Sequence, residues 1–340
     1  MSNSNMTSEQ NIQLNEKRPH VPKGTHPVET GSYCLPTNEI LGLYDEISRW
    51  LLNRSPGGII YGRPRLGKTR AIKFLRALLR EEFGSNLPIY QMNCNHYKTA
   101  NENRFFTDLL KDLGHNLYLS GKTEMKRDRA IKFLLERAES SSQHRIILFI
   151  DDAQRLGESQ YDWLMDIYNE LDRYNVYMTV ILVGQDELTY QRTAFITARK
   201  MQIVGRFMIH EYKFSGIKSI DDLRTCLAGY DMASEYPKSS GWCFTKYYFP
   251  ESFAQGRRLA ECAEELYEQF NLLRTEAKIL KPIEIPMQYI TLTVEYCLRT
   301  YGADGKNVGF PCTADWSTSI RNSGFIEAEL YYSLLNEVNK

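Results

Sequence analysis

Gly58-Ile59-Ile60-Tyr61-Gly62-Arg63-Pro64-Arg65-Leu66-Gly67-Lys68-Thr69 is the stretch from which the rest of the chain can be read. Gly62, Gly67, Lys68 and Thr69 occupy the defining places of a G-x-x-x-x-G-K-[ST] pattern. The apolar run ahead of it predicts a short buried strand. Behind it, Ile72, Leu75, Leu78 and Leu79 recur at helical spacing and predict a helix over 69–82. A glycine-bearing loop between strand and helix lets successive backbone N–H groups surround phosphate oxygens, and the helix N-terminus adds partial positive charge. The loop Gly62, Arg63, Pro64, Arg65, Leu66, Gly67, Lys68, Thr69 and Arg70 is therefore expected to hold a nucleoside triphosphate. Lys68 would reach the β- and γ-phosphates, and Thr69 would ligate Mg²⁺.

Working outward, the apolar run Arg145–Ile150 ends in Asp151 and Asp152. An uninterrupted apolar strand suits a parallel sheet covered on both faces. Asp151 is expected to hold the metal, and Asp152 to polarise the attacking water. Further strands are predicted at 58–61, 88–92, 176–184 and 207–214. Helices are predicted at 38–53, 105–114, 126–140, 158–174 and 187–200. In the helix over 38–53, Leu41, Tyr44, Ile47, Leu51 and Leu52 form the expected apolar stripe. Five strands interleaved with helices predict an α/β fold with a parallel sheet.

Beyond residue 215 the pattern turns helical. Helices are predicted over 216–229, over 256–273, after Pro286 and from Phe325 to Val338. Residues 230–250 read as irregular and 303–324 as a loop. The expected organisation is a disordered tail (1–24), a nucleotide-binding α/β domain (25–215), an α-helical lid (216–302) and a C-terminal loop and helix (303–340). The tail is polar and nearly free of aliphatic residues, too poor in apolar surface to offset chain entropy.

With 42 Lys and Arg against 42 Asp and Glu, the formal net charge of the 340 residues is zero. That argues against a protein that coats nucleic acid through overall charge; DNA binding would need a local basic patch. The seven cysteines are scattered without metal-ligand spacing, which fits a reducing compartment. No apolar run reaches bilayer length and no basic-then-apolar leader opens the chain, so a cytoplasmic protein without membrane contact is expected.

Three further groups could carry chemistry. Gln185 follows an apolar strand, where its amide could orient water beside the acids. Arg206 and Arg199 are alternative candidates for an arginine reaching the γ-phosphate of a neighbouring subunit. Arg257 and Arg258 open a predicted helix near which a phosphate of the same subunit could lie. The loop Asn93–Thr99 and the basic run Lys122–Arg129 mix cations with small donors of the kind that contact a nucleic-acid backbone.

The order of these parts resembles the AAA+ ATPases. It comprises the phosphate loop, Asp-Asp-Ala-Gln at 151–154, Val-Gly-Gln at 183–185, Gly-Arg-Phe at 205–207 and Gly-Arg-Arg-Leu at 256–259. Within their initiator-like branch it is similar to the TnsC family of transposition regulators, with MuB a more distant relative. That resemblance implies an AAA+ P-loop NTPase fold with a five-stranded parallel sheet and a small helical lid. It implies ATP- and Mg²⁺-dependent rings or filaments of the protein on duplex DNA. It also implies partners: transposase subunits and a TniQ-type or TnsD-like targeting protein. By the same route Lys98, Thr99, Lys122, Thr123 and Lys126 are expected near the DNA backbone, Arg206 as the arginine finger and Arg257 as a second phosphate sensor. Many relatives carry Glu where this chain has Asp152. A helicase loader or motor, and a nucleotide-gated scaffold without DNA contact, are the competing expectations.

Overall fold

Five strands pair into a single sheet in the computed structural model, which describes residues 17–338. They are β1 (Gly57–Tyr61), β2 (Ile89–Asn93), β3 (Arg145–Asp151), β4 (Tyr177–Gly184) and β5 (His210–Lys213), in the order β2-β3-β4-β1-β5. Every neighbouring pair is parallel. The register sets Asn93 opposite Asp151 and Tyr61 opposite Gly184, so the carboxyl ends of β1 to β4 share one edge. The phosphate loop, both acids and Gln185 all leave from that edge.

Ile146 to Ile150 are fully buried, as a strand covered on both faces requires. On one side they meet Phe105, Phe106, Leu134, Tyr161 and Leu164. The helix Asn38–Leu52 buries Ile40, Leu43, Ile47, Trp50 and Leu51, while Leu41 and Leu52 of the expected stripe are 43% and 69% exposed. Trp50 sets that phase. Its ring lies where a Cβ on Gly58 would approach within 2.6 Å, and its indole N–H donates to Glu46 at 2.6 Å.

The predicted strand over 207–214 is shorter than expected. Residues Met201–Phe207 form a helix whose Ile203, Val204 and Phe207 are buried at helical spacing, and only His210–Lys213 pair with β1. Arg206 therefore closes a helix rather than preceding a strand. The helix before it ends at Thr197, and Arg199 takes a left-handed conformation at φ 59°.

Residues 39–215 make up one compact unit; residues 17–38 join 216–338 in the other. In the helical unit Leu223, Tyr230, Leu266, Phe270, Val294 and Trp316 belong to one buried core. Residues 25–38, read from sequence as part of the nucleotide-binding domain, pack into this core through Val28 and Leu35. Tyr33 donates to Glu295 at 2.8 Å. Most of the expected tail, residues 1–16, lies outside the described residues. Arg18 donates to Asp304 at 2.7 Å and stacks on Tyr247 at 3.8 Å.

Three helical readings change here. The long helix expected from 256 begins as a 3-10 turn (Leu259–Cys262) and continues as Ala263–Glu276, its start held by Asp231, which accepts from the Leu259 and Ala260 N–H groups at 3.0 Å. Residues 230–250 contain the short helix Phe244–Tyr248 and lead into Pro250–Ala254. The loop expected over 303–324 contains the helix Thr313–Ser323, whose Trp316 and Ile320 are buried one turn apart and which ends on left-handed Gly324.

Candidate nucleotide site

The phosphate loop turns on two positions that need glycine. Gly67 is left-handed at φ 101°, and a Cβ at Gly62 would stand 2.3 Å from the carbonyl oxygen of Phe214. The helix Lys68–Phe83 starts directly behind the loop and buries Ala71, Ile72, Leu75, Leu79 and Phe83. Its N-terminal N–H groups are thereby anchored at the sheet edge. Lys68 curls back over the loop, its ammonium donating to the carbonyls of Gly62 at 2.6 Å and Arg63 at 2.9 Å. Burial lowers the Lys68 pKa, and Asp151, Asp186, Asp152 and Glu187 pull it back up.

Thr69 and Asp151 meet as the motif predicts: the hydroxyl donates to the carboxylate at 2.7 Å. Asp151 also accepts from Gln91 at 3.4 Å and from the Asp152 N–H at 3.0 Å. A hydroxyl and one carboxylate at this spacing suit a hard cation that completes its shell with phosphates and water. Among the described residues no cluster of three or more His, Cys, Asp or Glu could hold a metal by itself. The fit is therefore to Mg²⁺ arriving with a triphosphate. Thr69 and Asp151 would hold that metal, and the loop amides with Lys68 the phosphates. Bound there, the metal would neutralise phosphate charge.

Asp152 is less free than its sequence position suggests. Its backbone is left-handed at φ 54°; its carboxylate pairs with Arg155 at 3.3 Å and accepts from Gln154 at 3.3 Å. Gln154 in turn accepts from the Gln185 N–H at 3.3 Å, and a Cβ on Gly184 would sit 2.3 Å from its amide oxygen. Gln154 thus bridges the ends of β3 and β4, bringing Gln185 beside the two acids. Arg155 also donates to the Cys94 carbonyl at 3.0 Å. Gln91, Gln154 in this bridging role and Arg155 were not singled out from sequence. The one signal available for Arg155 was a cation three residues after an acid.

The arginine candidates fare differently. Arg206 donates to Asn169 at 3.0 Å and to the Met165 sulfur at 3.4 Å, with its guanidinium 5.6 Å from the Tyr168 ring centre. It is thus held by the helix Glu158–Arg173 of its own chain. Arg199 is exposed. Arg257, in the helical unit, donates to Glu261 at 3.0 Å and lies 4.4 Å over the Phe310 ring.

The helices Glu102–Asp112 and Thr123–Glu139 begin side by side, joined by Arg127 to Glu102 and by Lys126 to Asn103 (2.7 Å) and Thr107 (2.8 Å). Lys98, Thr99 and Lys122 are exposed at that end, and Thr123 is half-buried. Lys126 corrects the sequence reading. It is 5% exposed, and its ammonium donates to the first helix, so it ties two helices together rather than facing solvent. Arg129 is likewise occupied, donating to the carbonyls of Leu117 and Ser120.

An AAA domain model matches residues 53–191. No curated protein matches the chain. Among solved structures, the Aeropyrum pernix ORC2 protein in its ADP form superposes with a TM-score of 0.56 at 14% identity. That match covers 86% of this chain and 71% of the other. Its ADPNP–ADP complexes give 0.51 at 13% identity, covering 88% and 71%. The Walker-type ATPase paby2304 of Pyrococcus abyssi gives 0.49 at 14%, covering 90% and 76%. At such identities the likeness speaks to fold alone. The chain has the AAA+ P-loop NTPase fold: a five-stranded parallel sheet with a helical C-terminal region. It is an ATPase.

Proposed function

We propose that this ATPase assembles with copies of itself on duplex DNA when Mg²⁺–ATP is bound, and that hydrolysis loosens the assembly. In the finer reading it is a TnsC-like regulator that links a TniQ-type or TnsD-like targeting protein to transposase subunits. The ORC2 structures similar to it hold ADPNP and ADP, in keeping with a nucleotide between phosphate loop and acids.

The observation that best supports the DNA part is the paired start of the two helices. Both N-termini, with their partial positive charge, lie at one end with exposed Lys98, Thr99 and Lys122. Backbone contacts of this kind bind duplex without reading sequence. Tyr97 speaks against a single-strand motor. Its hydroxyl is bonded to Asp108 and Arg104 lies 4.6 Å over its ring, so one face of the ring is already taken by a cation of the same chain. The transposition part is supported by the motif order alone, Asp-Asp-Ala-Gln at 151–154 above all.

The test is sedimentation and microscopy of the full chain on duplex DNA with a non-hydrolysable ATP analogue, with ADP, and with Lys68→Ala. Assemblies seen with the analogue only, and absent in the variant, are expected. Identical behaviour in all three overturns the proposal. Co-sedimentation of a transposase subunit with the assembled form tests the finer reading.

A further inference from the structure

The sheet has a second edge, and it is unexpectedly cationic. Arg54 lies just ahead of β1, Arg145 opens β3, and Tyr177 opens β4 directly across from Arg145. The strands are parallel, so these residues gather at the end opposite the phosphate loop. The length of β3 separates them from Asp151 by about 20 Å.

Arg145 is the anomaly. It is only 7% exposed, its Nε is buried without an acceptor, and its side chain makes no hydrogen bond or ion pair with any described residue. No carboxylate acts on it electrostatically. Burial lowers its pKa, Arg54 lowers it further, and only the Tyr177 phenol opposes them. A buried charge is ordinarily paired, because desolvation without a counter-charge is expensive. Here two guanidinium groups stand near each other instead. Arg54 lies 5.1 Å over the Tyr177 ring and donates to its hydroxyl at 3.4 Å, leaving the phenolic proton free to donate outward. The Arg54 backbone is left-handed at φ 53°, closed by its N–H on the Leu51 carbonyl at 3.0 Å.

We propose that Arg145, Arg54 and Tyr177 form a binding site for a small phosphate-type dianion, separate from the nucleotide site. Two guanidinium groups supply two positive charges, which a phosphate or phosphomonoester matches at neutral pH and a single carboxylate does not. Planar guanidinium forks fit phosphate oxygens, and the phenol supplies a further donor. A duplex backbone fits less well, because the principal cation is sunk below the surface.

The experiment uses the full chain with its phosphate loop saturated by a non-hydrolysable Mg²⁺–ATP analogue, which also fills the γ-phosphate position, so that added phosphate cannot act there. Thermal melting is followed while inorganic phosphate, phosphoserine, acetate or a short duplex is titrated at constant ionic strength. Phosphate is expected to raise the midpoint by a few degrees in a saturable way. That shift is expected to vanish in Arg145→Met and to shrink in Arg54→Ala and Tyr177→Phe. A response to phosphoserine equal to that of phosphate would assign a phosphomonoester group as the ligand; a weaker one would assign free phosphate. Without added phosphate, Arg145→Met is expected to melt no lower than the unaltered chain, since the change removes an uncompensated buried charge. No response to phosphate, one that persists in Arg145→Met, an equal response to acetate, or a response to duplex alone would each overturn the proposal. Should Arg145→Met fail to fold, undiminished shifts in Arg54→Ala and Tyr177→Phe overturn it equally.

Discussion

Thr69→Val separates the chemistry of the nucleotide site from its contribution to the fold. The substitution keeps the side-chain shape and removes one hydroxyl, which donates to Asp151 at 2.7 Å. Hydrogen bonds to charged groups contribute about 1.5–3 kcal/mol when shielded, but Thr69 is exposed and water can take its place. Asp151 also keeps its bonds from Gln91 and from the Asp152 N–H. The expected loss of stability is therefore under about 1 kcal/mol. On the proposed metal-holding role of Thr69 the functional loss should be far larger, about 10- to 100-fold in ATP turnover. Melting with nucleotide separates the two effects. At 100-fold excess over Kd, Mg²⁺–ADP stabilises a protein by about 2.7 kcal/mol, and a tenfold weaker affinity removes about half of that. In the variant, stabilisation by Mg²⁺–ADP should fall while stabilisation by ADP without metal persists. Turnover and Mg²⁺-dependent stabilisation equal to those of the unaltered chain would refute the assignment of Thr69 and Asp151 as the metal-holding pair.

The joint change Lys98→Ala and Lys122→Ala should weaken duplex binding and lower the slope of log affinity against log salt by about 2, with melting unchanged; filter binding across a salt series measures this. Lys126→Met should instead cost about 1–3 kcal/mol of stability in urea unfolding, because Asn103 and Thr107 lose a buried donor. Arg206→Ala should cost about 1 kcal/mol of stability in urea unfolding, since Asn169 and Met165 lose their partner, and, as the proposed arginine finger, should lower turnover; Arg199→Ala should leave stability alone. Burial holds the His26 imidazole at about 4, well under its ordinary 6.5, against the pull of Glu29 and Asp304. The unfolded chain then binds more protons between those values, so stability should fall as pH drops from about 6.5 toward 4 and stay flat above, a dependence that His26→Phe removes.

The parallel sheet and the Thr69–Asp151 pair could be read ahead of the structure because each rests on a local pattern. Apolar runs of strand length alternate with helical periodicity, and the loop motif carries its own geometry. What could not be read depends on partners distant in the chain. Lys122 and Lys126 look alike in sequence, yet one is exposed and the other is buried by helix 102–112, whose position no local pattern fixes. The helix Met201–Phe207 falls between the helix predicted to 200 and the strand predicted from 207, in a stretch too short for its apolar residues to fix a period. Residues 25–38 directly precede the first helix of the nucleotide-binding domain, whereas Val28 and Leu35 find their apolar neighbours about two hundred residues later, among Leu227, Tyr230 and Tyr289.

Arg155 joins the two halves of the proposed function within one side chain. Its guanidinium holds the Asp152 carboxylate at 3.3 Å and the Cys94 carbonyl at 3.0 Å, and Cys94 opens the loop that carries Lys98 and Thr99. With both partners of the ion pair about 40% exposed, its contribution to stability is small, under about 1 kcal/mol. An ion pair that weak is poorly suited to holding up the fold. It is well suited to positioning, because a modest displacement of residues 94–99 would release or re-aim the acid without unfolding anything. Contact of that loop with a DNA backbone would then bear directly on Asp152, the acid proposed to polarise water, with no change needed in the sheet between them.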